Sequence, residues 1–147
     1  MKKLTKPGDQ LIFLINRLKK LSPTHKILTE MDITFSQIRL LLCVADAPGN
    51  SMKKIADSLE VAFPTVSETT FVLFKKGLIK YVRDPDDRRF KRIYLTDDGE
   101  KISRKFNQER EEYALKFLSG LLPDEQENFL AMLERTISYA ESTNLIQ

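Results

Sequence analysis

The segment from Asp84 to Thr96, DPDDRRFKRIYLT, sets Arg88 and Arg89 beside three carboxylates. A guanidinium is planar, forked and weakly hydrated, so an exposed arginine pair suits phosphate oxygens and the narrow, strongly negative minor groove of a duplex. Asp87 can brace a neighbouring arginine through a charge-assisted pair. Taken alone, the segment also fits a solvated hairpin with ordinary surface ion pairs.

Other reactive chemistry is sparse. His25 and Cys43 are the only histidine and the only cysteine, so nucleophilic catalysis would rest on that one pair, and the five glycines form no phosphate-cradling loop. No cluster of His, Cys, Asp or Glu falls at metal-ligand spacing. The expectation is a protein that is not an enzyme, with no cofactor and no metal. Cys43 lies among Leu40, Leu41, Leu42 and Val44 on an expected helix, where a thiolate is disfavoured, and is read as buried core. A lone cysteine makes no intramolecular disulfide, which fits a reducing compartment.

The arginines need a turn to present them. Pro85 fixes its own φ and drives Asp84 toward an extended conformation, while the aspartates can bond their own backbone. Ile79 to Val82 and Phe90 to Leu95 flank the turn and read as a two-stranded hairpin; on the second run Lys91, Ile93 and Leu95 share one face. Upstream, Ser51 can cap a helix carrying Ile55, Ala56 and Leu59, with a break at Glu60 to Ala62. Pro64 suits the first turn of a second helix that runs to about Lys76 and stops at Gly77. Val66, Thr70 and Leu73 line its inner face. Thr65, Glu68, Val72 and Lys75 point away, with Ser67 and Phe71 along a flank. Two short helices followed by a basic hairpin describe a winged helix-turn-helix, whose second helix enters the major groove.

Over IADSLEVAFPTVSETTFVLFKKGLIKYVRDPDDRRFKRIYLTDDGEKI the chain resembles the MarR family of bacterial transcriptional regulators. The most specific parts are Pro64, Thr65 and Val66, the corner Lys76, Gly77 and Leu78, and Asp87 with Arg89 followed by Leu95, Thr96 and Gly99. The resemblance implies that Arg89 reaches the minor groove from the wing tip, that Asp87 orients it, and that Arg88 contacts phosphate. The expected DNA-binding set is Phe63, Pro64, Thr65, Ser67, Glu68, Lys75, Arg83, Asp87, Arg88, Arg89 and Lys91. Several positions depart from the family pattern. Ala62 stands where a capping serine is common, a loss typically of about 1 kcal/mol. Glu68 replaces a basic residue and can accept from cytosine N4. Phe71, Val72 and Phe74 replace residues that are commonly charged; they either meet thymine methyls or pack against the wing, and packing is the favoured reading. Phe90 replaces a small residue.

The fold class expected is α+β, mostly helical: one domain over 1–147, with a winged helix-turn-helix part at 33–99. Its helix-turn-helix spans about 51–76 and its wing about 79–96. Thr34 and Gln37 form a capping-box pattern for the helix before Pro48, and Ile33 can staple onto Ile38. Flanking segments 1–32 and 100–147 carry apolar helical stripes: Leu11, Leu14, Ile15 and Leu18; Ile102, Phe106, Tyr113 and Phe117; and, after Pro123, Phe129, Leu130, Leu133 and Ile137. In the resembled family these elements form a two-fold dimer, so dimerisation helices and a homodimer are expected. That family also commonly holds a small aromatic or phenolic effector between dimer helices and winged domain. Candidate contacts are Met31, Phe35, Arg39 and His25, the last placed in the connection between the first two helices; core packing competes for the apolar ones.

Charge agrees. The overall +3 decides little, but from Lys75 to Arg92 eight basic residues face three acidic ones, and from Asp97 onward eleven acidic face six basic. Such a chain orients as it approaches DNA. No apolar run approaches the roughly 20 residues of a membrane span. The basic cluster Lys2, Lys3 and Lys6 is not followed by a signal-peptide pattern, so cytoplasmic residence is expected. The functional expectation is a sequence-specific transcriptional regulator, a repressor, binding double-stranded DNA at a pseudo-palindromic operator as a homodimer and released by a small ligand. The competing class is a winged helix used only for protein–protein contact, and the basic wing argues against it.

Overall fold

The computed structural model describes residues 6–143; Lys2 and Lys3 of the N-terminal basic cluster, and the outermost ends of the two flanking segments, lie outside the described residues. The chain divides after Arg110 into two compact units. The first holds α1 (Pro7–Leu21), α2 (Thr24–Glu30), α3 (Phe35–Asp46), α4 (Met52–Leu59), α5 (Phe63–Lys75), β1 (Ile79–Arg83), β2 (Lys91–Leu95) and the opening turns of α6 (Asp97–Leu118). The second holds the remainder of α6 and α7 (Pro123–Ser142).

At the centre of the first unit lies α3. Its start follows the capping box, with Thr34 Oγ1 accepting from the Gln37 amide and the Gln37 side chain accepting from the Thr34 amide. Ile38, Leu41 and Val44 then recur at helical spacing, and with Leu40 they are fully buried against Ile55 of α4, Val66 and Leu73 of α5, and Ile93 of β2. Ile33 joins the same core beside the helix start. One expectation fails here: His25 lies on the short helix α2, not in a connection, because Ile27 and Leu28 of that helix are drawn into the core.

The helix-turn-helix forms as its sequence dictates. Ser51 accepts from the Lys54 amide at the start of α4, and Glu60, left-handed at φ 54°, ends it. No side chain caps α5, in keeping with Ala62, and Pro64 occupies its first turn. Gly77, at φ +70°, closes it, and the Leu78 amide returns to the Leu73 carbonyl.

β1 and β2 pair antiparallel, from Ile79 opposite Leu95 to Arg83 opposite Lys91. Two boundaries move: β1 extends to Arg83, and Phe90 falls in the loop. The Phe90 backbone is instead turned inward across the loop, its amide bonding the Asp87 carbonyl and its carbonyl accepting from the Asp84 amide. On its other edge β2 is held by the α3–α4 connection. The Gly49 amide donates to the Ile93 carbonyl at 2.9 Å and the Ile93 amide donates to the Asn50 carbonyl at 3.1 Å. Gly49 is favoured by its φ of +81°, and a Cβ there would also oblige the Tyr94 ring to shift.

Thr96 ties the wing to α6. Its hydroxyl donates to the Gly77 carbonyl and accepts from the Gly99 amide, while its own amide bonds the Leu78 carbonyl. That carbonyl lies where a side chain on Gly99 would begin, which explains a glycine in the first turn of a helix.

In the second unit α7 starts at Pro123, with Asp124 and Glu125 in its positive first turn, and Phe129 meets Phe117 of α6 with ring centroids 6.5 Å apart. No described helix is long and apolar enough to cross a membrane.

Candidate nucleic-acid interface

The wing tip is organised by two aspartates. Asp84 Oδ1 accepts from the amides of Asp86 and Asp87, and its Oδ2 takes the Arg92 Nε at 2.6 Å. This gives the turn the acidic side-chain-to-backbone bonding that shapes tight loops. Asp87 accepts from the Arg89 amide at 3.0 Å and grips the guanidinium at both ends, Nε to Oδ1 and Nη2 to Oδ2, each at 3.2 Å. Arg89 nonetheless keeps 88% of its side chain exposed. The aspartate therefore orients the fork without burying it. Each partner guanidinium holds its carboxyl below the usual carboxylate range: Arg92 for Asp84, Arg89 for Asp87. Asp84 in turn raises the pKa of Arg92.

On α5, Thr65, Glu68 and Lys75 are exposed and Ser67 is half-buried, while Val66, Thr70 and Leu73 are buried. Phe63 and Pro64 are exposed at the helix start. The three apolar departures divide. Phe74 packs on Tyr81 of β1 with centroids 5.2 Å apart, Val72 is half-buried, and Phe71 stays 58% exposed with the Lys75 ammonium 5.5 Å above its ring. Across the hairpin, Lys91 places its ammonium 5.4 Å from the Tyr81 ring, and Arg83 and Arg88 are exposed. Tyr81 thus touches both the C-terminal part of α5 and the wing, a role that no spacing in the sequence marks.

The basic count is less open than the sequence suggests. Lys76 is drawn away to the α2–α3 turn, where its ammonium meets the Asp32 carboxylate at 3.1 Å and the Asp32 carbonyl. Arg92 is engaged by Asp84 across the strand pair. Neither pairing is visible in sequence order, because Lys76 and Asp32 are 44 residues apart and the Arg92 contact depends on the register of the hairpin.

Of the residues considered for an effector, His25 and Phe35 line one hollow of about 390 Å³ with Leu28, Thr29 and Lys76. Arg39 is elsewhere, its guanidinium donating to the Leu59 carbonyl at 3.1 Å. Met31 packs against the core. Cys43 is half-buried beside Arg39 and Asp46, more accessible than expected, because α3 turns that side of its stripe toward a shallow hollow. Desolvation, and secondarily Asp46, push its thiol pKa up, with Arg39 opposing. Among the described residues no group of His, Cys, Asp and Glu could hold a metal ion.

Residues 33–91 match the MarR family. The Bacillus subtilis (strain 168) protein YybA, named as an uncharacterized HTH-type transcriptional regulator, is 26% identical over 106 residues, covering 72% of this chain and 71% of that one. A mutant of Staphylococcus aureus MepR superposes with a TM-score of 0.81 at 27% identity, covering 91% of this chain and 98% of that chain. A second MepR mutant, solved bound to an oligodeoxyribonucleotide, superposes with a TM-score of 0.68 at 29% identity over the same shares.

Proposed function

We propose that this chain is a winged helix-turn-helix regulator of the MarR type that represses transcription by binding a pseudo-palindromic operator as a homodimer in the cytoplasm. The observation that carries the reading is Arg89, held at both ends of its guanidinium by Asp87 and still turned to solvent at the wing tip. An arginine so oriented suits a minor groove, and the exposed Thr65, Glu68 and Lys75 of α5 suit the neighbouring major groove. Phe63, Pro64 and Ser67 would fix the entry of that helix, and Arg83, Arg88 and Lys91 would meet phosphates along the wing. In this reading the whole chain acts as one functional domain. Residues 33–99 contact DNA through the helix-turn-helix at 51–76 and the wing at 79–96, and 1–32 and 100–147 supply the dimer helices.

Support for the homodimer comes from α1, which buries none of its residues in the single chain and leaves Leu11, Leu14, Ile15 and Leu18 exposed. α7 likewise leaves Leu130, Leu133 and Ile137 exposed. Large apolar faces of this kind mark association surfaces. The hollow lined by His25 and Phe35 is the site we assign to a small aromatic or phenolic effector that releases the operator. The test is selection of bound DNA from a random pool, repeated with phenolic compounds present. An imperfect inverted repeat, bound in a salt-dependent way and released by a phenol, is expected. A protein that retains no DNA at low salt would be a protein–protein interaction module instead.

A further inference from the structure

We propose that Phe71 reads sequence by packing against the 5-methyl group of a thymine in the major groove. The inference rests on the DNA-binding reading above and adds to it a residue outside the expected DNA-binding set.

Two exposed aromatic residues one turn apart on α5 have different neighbours. Phe74, 46% exposed, packs on Tyr81 of the wing, whereas Phe71, 58% exposed, has the Lys75 ammonium over its ring. Phe71 lies three positions after Glu68 and four before Lys75, both exposed, so the three form one ridge on the side away from Val66, Thr70 and Leu73. The Lys75 ammonium lies over the ring, 5.5 Å from its centroid, and more than half of the residue remains exposed. This combination selects the occupant. A protein groove that swallowed the ring would bury the adjacent ammonium, at a large desolvation cost unless it brought a paired anion, whereas DNA supplies phosphate beside every base edge. A phenyl ring makes no strong hydrogen bond, and the apolar group that a base edge offers in the major groove is the thymine methyl. Glu68, one turn earlier, is complementary to the cytosine amino group. The ridge therefore reads by one acceptor and one apolar contact, with Lys75 anchoring it to the backbone.

Full-length protein is used to select DNA from a random pool, and each thymine of the selected site is replaced in turn by deoxyuridine, which removes only the methyl. The wild-type protein should lose about fourfold in affinity at one thymine in each half-site, the worth of one buried methyl-sized group. Phe71→Ala should bind the thymine and deoxyuridine duplexes equally, and Phe71→Leu should keep part of the preference. Melting curves for both variants should match the wild type because the ring is exposed. Wild-type indifference to every thymine replacement, or a Phe71→Ala protein that keeps the preference, overturns the proposal. Failure to select any DNA overturns the regulator reading beneath it.

Discussion

At the scale of single residues, the wing tip makes its own predictions. Arg89→Ala removes a contact and leaves no buried partner stranded, so the melting curve should stay put while DNA binding weakens by about 1–3 kcal/mol and its salt slope flattens by roughly one. Unchanged affinity at two salt concentrations would remove the wing from the mechanism. The acid response follows from Asp84 and Asp87, whose carboxyls titrate lower in the folded wing than in an unfolded chain. Their ion pairs are complete above the ordinary carboxylate range and are lost as pH falls through the lowered folded values. The side-chain NMR signals of Arg89 and Arg92 should accordingly hold their native positions at pH 5 and shift only in stronger acid, with shifts near neutrality counting against the pairing. Cys43, its thiol pKa raised by desolvation, should resist mild peroxide. Sulfenic acid found there by mass spectrometry, together with release of DNA, would make it a redox sensor.

Among the elements, the loop-to-helix junction at Thr96 inverts an ordinary rule. Glycine to alanine within a helix normally stabilises, by about 1 kcal/mol. At Gly99 the added Cβ meets the Leu78 carbonyl, which is already engaged by the Thr96 amide, so Gly99→Ala should instead destabilise by about 1–3 kcal/mol in thermal denaturation. A raised melting temperature would show that the junction can yield. This junction also marks how far a sequence can be read. Ser51, the break at Glu60, Pro64 and Gly77 carry their structural meaning in their own chemistry, and the helix-turn-helix they bound was legible. The short α2 was not, because seven residues form a helix only when Ile27 and Leu28 are pulled into a core assembled from distant segments. The site divides the same way. Asp87 with Arg89 is local and could be anticipated; Lys76 with Asp32, and Tyr81 between Phe74 and Lys91, depend on tertiary approach.

For the whole molecule, the decisive question is what covers the apolar faces of the flanking helices. In the single chain Leu14 and Leu18 are exposed, so Leu14→Glu with Leu18→Glu costs the monomer little packing. If these faces meet a second copy, the double variant should sediment as a monomer and bind the selected site far more weakly, while the wild type sediments as a dimer at micromolar concentration. Two-fold symmetry then places the recognition helices about one helical turn apart, and the footprint should extend beyond each into a flanking minor groove. A wild-type monomer that binds a site with no dyad would uncouple the flanking helices from recognition.

The clasp between the α3–α4 connection and β2 has a mechanical meaning. Because Gly49 and Asn50 bond Ile93 on one edge while β1 holds the other, the base of the wing is a three-ply structure anchored in the core. The Gly49 and Ile93 amides should exchange with deuterium only through global unfolding, whereas those of the Asp84–Phe90 loop exchange through local opening. A wing braced on both edges at its root resists swinging to follow a groove of the wrong width. In the proposed complex the duplex would then deform to meet the wing, and base pairs that no side chain touches should influence affinity through their own flexibility.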